Sequence, residues 1–157
     1  MASVFEKLNL KSQREIVVVN APASFEPELR SLAGVAVRRR LPASAPVEFA
    51  LVFATEQGEV DAAAARLAKV APGDAIVWFA YPKGTSKRYT CSFNRDTGWK
   101  ALGRAGFEPV RQVAIDEDWS ALRFRRAEFI SSMTRAPERA MSKQGRTKAA
   151  RGTTGRR

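Results

Sequence analysis

Lys83, Gly84, Thr85, Ser86 and Lys87 put two ammonium groups and two hydroxyls on a flexible stretch of backbone, a combination suited to a phosphate or a carboxylate. The order is Lys-Gly-Thr-Ser, so this is not the phosphate loop in which glycine, lysine and a hydroxyl follow an earlier glycine. Asp116, Glu117 and Asp118 form a second reactive group, offering a general base or oxygen ligands for a divalent cation. Adjacent acids also arise at the tip of a tight hairpin, and metal ligands must converge in space rather than merely adjoin. The competing reading of both groups is a solvated surface where the lysines pair with the acids, each pair contributing about 0–1 kcal/mol. With no histidine and the single cysteine Cys91, the chain cannot build a Ser-His-Asp or Cys-His nucleophile, a Cys/His zinc site or an internal disulfide. Cys91 reads as a small apolar residue, or as a thiol that Lys87 and Arg88 would activate if it were exposed. Trp119, Tyr89 and Phe93 are aromatics near these groups, suited to core packing or to stacking on a base.

These groups need a scaffold, and 157 residues with 45% hydrophobic content suffice for one domain, expected over residues 1–134. The longest apolar run, Ala75 to Tyr81, is far below the roughly 20 residues of a spanning helix, and the N-terminus lacks the apolar segment of a signal peptide. A cytoplasmic protein with no membrane partner is expected. Ser3 and Glu6 have capping-box spacing before a short helix carrying Val4, Phe5 and Leu8. Glu15 to Asn20, Val47 to Ala54 and Ala75 to Tyr81 are β-branched or apolar runs typical of parallel strands buried on both faces. Between them lie a short helix capped by Ser24, with Pro27 in its first turn, and a low-signal strand over Val35 to Arg38. A further helix spans Glu59 to Val70, with Val60, Ala64 and Leu67 on one face. Pro82 to Phe93 is a long polar connection, and Asn94 is placed to cap a helix with Trp99 and Leu102 that ends at Gly106. Gly98 and Gly103 weaken that helix by about 1 kcal/mol each. Pro109 to Ile115 and Trp119 to Arg125 are too close in sequence for a crossover helix and predict an antiparallel hairpin, with Leu122 and Phe124 inward and Arg123 and Arg125 outward. Phe129, Ile130 and Met133 have the spacing of a last helical turn.

The net charge of +11 is unevenly spread. Residues 135–157 hold eight basic residues and one acid, which is +7 of the total, and contain no aromatic or branched aliphatic residue. Such a segment cannot offset the entropy of ordering, so a disordered tail, from Arg135 to Arg157, is expected. It reads either as a solubilising tail or as an arm that contacts nucleic acid non-specifically through counterion release.

The alternating elements, the closing hairpin and the turn Val70-Ala71-Pro72-Gly73-Asp74 before a hydrophobic strand resemble class I S-adenosylmethionine-dependent methyltransferases over about residues 12–126. The resemblance implies an α/β fold, a mostly parallel Rossmann-like (methyltransferase-like) sheet ending in an antiparallel hairpin, with helices on both faces. It also implies a glycine-rich turn after the first strand and an acid ending the second, whereas this chain has Asn20-Ala21-Pro22-Ala23-Ser24 and Arg38-Arg39-Arg40. Arginine donates hydrogen bonds and cannot accept them from a ribose. Residues 38 to 47 also leave no room for a further strand and helix. The segments "VVVNAP", "WFAYPKGTSK", "NRDTGW" and "VRQVAIDEDWSALRFR" are similar to a family of small bacterial proteins whose domain has no assigned function.

Ligands of open α/β sheets bind beyond the carboxyl ends of the strands. The candidate ligand-binding set there is Asn20, Lys83, Thr85, Ser86, Lys87, Arg95, Asp116 and Asp118, with no catalytic or metal-binding residue assigned. The expectation is a protein that takes an anionic small molecule at this edge, holds no cofactor and is not an active methyltransferase. The alternatives are an enzyme using Lys and Asp/Glu on a small phosphorylated or carboxylated substrate, or a divergent S-adenosylmethionine-binding methyltransferase.

Overall fold

A computed structural model gives the structure of the chain, and residues 3–44, 46–93 and 98–130 are described. The proposed cap Asn94, the candidate Arg95, Met133 and the basic segment 135–157 lie outside the described residues. Six strands form one sheet in the order β2-β1-β3-β4-β6-β5, comprising β1 (Glu15–Val19), β2 (Ala36–Arg38), β3 (Phe49–Phe53), β4 (Ile76–Pro82), β5 (Phe107–Ala114) and β6 (Trp119–Arg126). β2, β1, β3 and β4 pair in parallel, and β6 pairs antiparallel with both β4 and β5. The expected mostly parallel sheet closed by a hairpin is the one observed.

Strand parity separates two cores. Val17, Val52, Val77, Phe79, Leu122 and Phe124 face α3 (Gln57–Val70) and α4 (Lys100–Arg104). Ile16, Val18, Leu51, Phe53, Trp78 and Ala121 face α1 (Val4–Lys7) and α2 (Glu26–Arg30), where Phe5, Leu8, Phe25 and Leu29 cover them. Every residue of β3 and β4 is buried, the reason these runs lack polar alternation. The Trp78 indole N–H donates to the Leu8 carbonyl at 2.7 Å, so α1 is tied to the central sheet by a buried hydrogen bond as well as by apolar contact.

Local chemistry explains most boundaries. Ser3 caps α1 in the expected box, its Oγ accepting from the Glu6 N–H and its own N–H donating to the Glu6 carboxylate. Gly73 at φ 61° makes the turn into β4, and Gly106 at φ 94° turns the chain from α4 into β5, conformations in which a side chain would be strained. Several expectations are corrected. Ser24 does not cap α2: it lies inside a 3-10 turn (Ala23–Phe25), and Phe25 occupies the cap position without a side-chain hydrogen bond. α3 starts at Gln57 rather than Glu59, because the Glu59 carboxylate reaches back to the preceding amides. Gly98 precedes α4, and a Cβ there would come within 2.4 Å of the Phe93 ring, so it serves close packing rather than weakening a helix. Arg123 and Arg125 are only partly exposed, because their face of β6 continues the second core.

Candidate functional site

The strand order sends the chain from β1 to β2 on one side and later to β3 on the other, so the carboxyl ends of β1 and β3 flank the point where ligands enter such sheets. Asn20 follows β1 at φ 60°, a region where glycine is usual and asparagine the best-tolerated alternative. Its side-chain amide donates to the Phe53 carbonyl and to Glu59 Oε2, both at 3.3 Å. Glu59 Oε1 accepts the N–H groups of Thr55 at 2.9 Å and Glu56 at 3.1 Å. Both Glu59 oxygens are therefore engaged in fixing the two turns at the strand ends.

Two hollows meet at Asn20 and Glu59. One, of about 270 Å³, is completed by Pro22, Phe53, Thr55, Tyr89 and Trp119. The other, of about 350 Å³, is completed by Val19, Arg40, Leu41, Val52, Ala62, Ala63 and Arg66. The crevice thus has an aromatic end and a cationic end over an apolar floor. Arg38 pairs with Glu15, and Arg39 holds Glu26 through two hydrogen bonds of 2.8 and 2.9 Å. The Arg39 guanidinium keeps the Glu26 carboxyl below its ordinary range, mainly through that hydrogen bond. Arg40 and Arg66 are exposed and make no ion pair among the described residues.

The loop after β4 closes over the aromatic end. The Lys83 N–H donates to the Asp118 carbonyl at 2.8 Å, and Ser86 Oγ donates to Asp118 Oδ1 at 2.9 Å while accepting from the Tyr89 N–H at 3.2 Å. Asp116 Oδ1 accepts from the N–H groups of Asp118 and Trp119 at 2.8 and 2.9 Å, an arrangement that shapes the hairpin turn. At the far end the Ser92 N–H donates to the Thr55 carbonyl and Ser92 Oγ accepts from the Gln57 N–H, both at 2.9 Å. Pinned at both ends, the loop lays Tyr89 on Trp119, with ring centroids 4.9 Å apart, and Trp119 meets Phe53 edge-on at 5.1 Å.

Of the sequence-derived candidates, Ser86 and Asp118 meet directly, Lys83 joins them through its backbone, and Asn20 lines the crevice. Asp116 is occupied by the turn, and Thr85 and Lys87 are exposed on the loop. The acids bond to backbone amides and Ser86, and the ion pairs among the described residues involve neither Lys83 nor Lys87. Among the described residues no group of three or more His, Cys, Asp or Glu converges as a metal site. Burial raises the Cys91 thiol above its ordinary value, with Glu56 adding to the effect, so activation by Lys87 and Arg88 is not what the fold provides.

A solved S-adenosylmethionine-dependent methyltransferase from Aquifex aeolicus superposes with a TM-score of 0.56 at 14% identity, covering 78% of this chain and 87% of that one. The fold is a methyltransferase-like Rossmann fold. The N-methyltransferase NodS from Bradyrhizobium japonicum WM9 aligns at a TM-score of 0.44 and 14% identity, covering 71% and 73% of the two chains. The [4+2]-cyclase SpnF aligns at 0.48 and 12%, covering 78% of each. No protein-family model matches the chain, and no curated protein matches it.

Within this fold, β2 is an edge strand of the described sheet, and the short connection after it leaves the cationic hollow open. The sequence singled out Arg38 to Arg40 but missed Arg66 and Glu59. Arg66 joins the site only because α3 turns that face toward Leu41. Glu59 was detectable as an acid in the first turn of a helix, three residues after another acid that is a poor cap by type.

Proposed function

We propose that the chain binds a small anionic ligand in the crevice between the carboxyl ends of β1 and β3. Arg40 and Arg66 take its charge, Tyr89 and Trp119 border its uncharged part, and Lys83 and Lys87 add charge at the rim. The observation that carries this reading is Arg40 lining the crevice near the position where the methyltransferase resemblance calls for a carboxylate, while the carboxylate present, Glu59, has both oxygens engaged. A ribose diol needs an acceptor there, whereas an anion needs donors. On this reading the protein is cytoplasmic, is not an active methyltransferase, and carries in residues 135–157 an arm that adds non-specific nucleic-acid affinity.

A thermal-shift panel of nucleotides, sugar phosphates, S-adenosylmethionine and S-adenosylhomocysteine tests the crevice. A ligand at 100 times its Kd adds about 2.7 kcal/mol, enough to raise Tm by several degrees. The anions should produce a shift that Arg40→Ala with Arg66→Ala removes. The second reading, a divergent S-adenosylmethionine-binding methyltransferase, is favoured by the shared fold. A larger shift with S-adenosylmethionine, surviving the double substitution, would establish it and discard the anion site.

A further inference from the structure

The hairpin carries a second cationic surface, remote from the crevice in its chemistry. Along β6, Trp119 and Ala121 lie in the core beneath α1 and α2, and parity puts Arg123 and Arg125 on the same face. Arg111 of β5 stands directly opposite Arg123 in the register and is exposed. Like charges directly opposite on a sheet destabilise it. Arg123 Nε is also buried with no hydrogen-bond partner among the described residues. Burial, together with Arg125 and Arg111, weakens the hold of Arg123 on its proton, Asp74 opposing the shift.

Asp74 neutralises Arg125, and the ion pairs among the described residues include neither Arg111 nor Arg123. Asp74 is committed to Arg125 through hydrogen bonds of 2.9 and 2.7 Å, and Glu108, in register with Arg125, is fully buried. At the other end of β5, Lys7 Nζ donates to the Ala114 carbonyl at 2.7 Å and adds a further cation.

We propose that this face of β5 and β6 is a binding surface for the phosphate backbone of a nucleic acid. Planar guanidinium groups suit phosphate oxygens, and with the aromatic ring of Trp119 buried beneath Tyr89, contact is to the backbone rather than to bases. Residues 135–157, at +7, have the wrong sign to cover the face and the right sign to share a long polyanion with it. A short acidic peptide would satisfy the arginines but would not engage both.

Fluorescence anisotropy of the full chain with a labelled single-stranded oligonucleotide of mixed sequence, over a range of salt concentrations, is the test. Arg111→Gln with Arg123→Gln should weaken binding about tenfold near 0.1 M salt and reduce the slope of log K against log salt by about 1.5, the value for two lost phosphate contacts. A control removing two charges elsewhere, Arg30→Gln with Arg104→Gln, should leave the slope unchanged. An unchanged or raised Tm shows that the hairpin variant is folded; if its Tm falls, Arg111→Lys, which keeps the charge, should restore the slope in an Arg123→Gln background by about half. Equal losses from both pairs, or no binding by the parent chain, would overturn the proposal. Displacement of the oligonucleotide by polyglutamate at equal charge, with the same dependence on Arg111 and Arg123, would assign the face to acidic peptides instead.

Discussion

The parallel centre of the sheet and its antiparallel flank solve the same packing problem differently. β3 and β4 are buried throughout and covered on both faces by helices, whereas β5 has only its first two residues, Phe107 and Glu108, fully buried. The centre holds its polar atoms in defined bonds, as with Trp78 to Leu8 and Asn20 to Phe53 and Glu59. The flank sets two arginines against each other and leaves a guanidinium nitrogen without a partner among the described residues. Apolar burial is concentrated in the first region, and the second sets like charges face to face at an exposed edge. The crevice lies where the central strands β1 and β3 end, between their carboxyl ends and the first turns of α3.

The contrast can be broken most directly by deleting core volume. Phe79→Ala, in the middle of β4 against Trp99 and Phe124, should cost about 3–5 kcal/mol in chemical denaturation, while Val110→Ala, exposed on β5, should change stability by less than about 0.5 kcal/mol. Comparable losses at the two sites would show that the flank is as tightly coupled as the centre. At the end of β1, Asn20→Ala should cost about 1–3 kcal/mol, because alanine keeps the strain of φ 60° and loses both side-chain hydrogen bonds. Asn20→Gly should lose less, since glycine adopts that backbone freely; equal losses would assign the whole effect to the hydrogen bonds. On the flank the sign reverses. Arg111→Gln should raise stability by about 0.2–1 kcal/mol, and a decrease would mean that the facing arginines are already neutralised.

The smallest effect concerns Cys91. Its raised pKa means less thiolate near neutral pH than a free cysteine has, so alkylation by iodoacetamide should be slower than for a model thiol at pH 8 and should accelerate only at higher pH. Reaction at the model rate would show the thiol to be exposed. The Glu26–Arg39 pair gives a pH-dependent counterpart. A carboxyl whose pKa is lowered on folding adds stability above its unfolded pKa, near 4.5, and loses it as the pH falls through the folded value. Both groups are exposed enough for solvent screening to keep the change slight.

Local and periodic signals were read correctly from sequence. The capping box at Ser3, the apolar runs of β1, β3 and β4, and the three acids too few for a crossover helix each identify an element from a few neighbouring residues. The start of α3 was misplaced because a glutamate three residues along, not a good cap residue, supplied the acceptor. Of the residues that line the crevice, Asn20 and Tyr89 were singled out from sequence, whereas Arg66 reaches it through the rotation of α3 and was not.

Composition and periodicity by themselves determined the strands, the closing hairpin, the exclusion of histidine chemistry and the uneven charge, since each depends on residue type and on spacing within one segment. Tertiary structure alone decided that Glu59 would be consumed by its own turn and that Arg40 and Arg66 would share a hollow with Asn20. It alone also set Arg111 against Arg123. These pairings join residues from different elements, and only strand register and helix packing bring such residues within reach of one another.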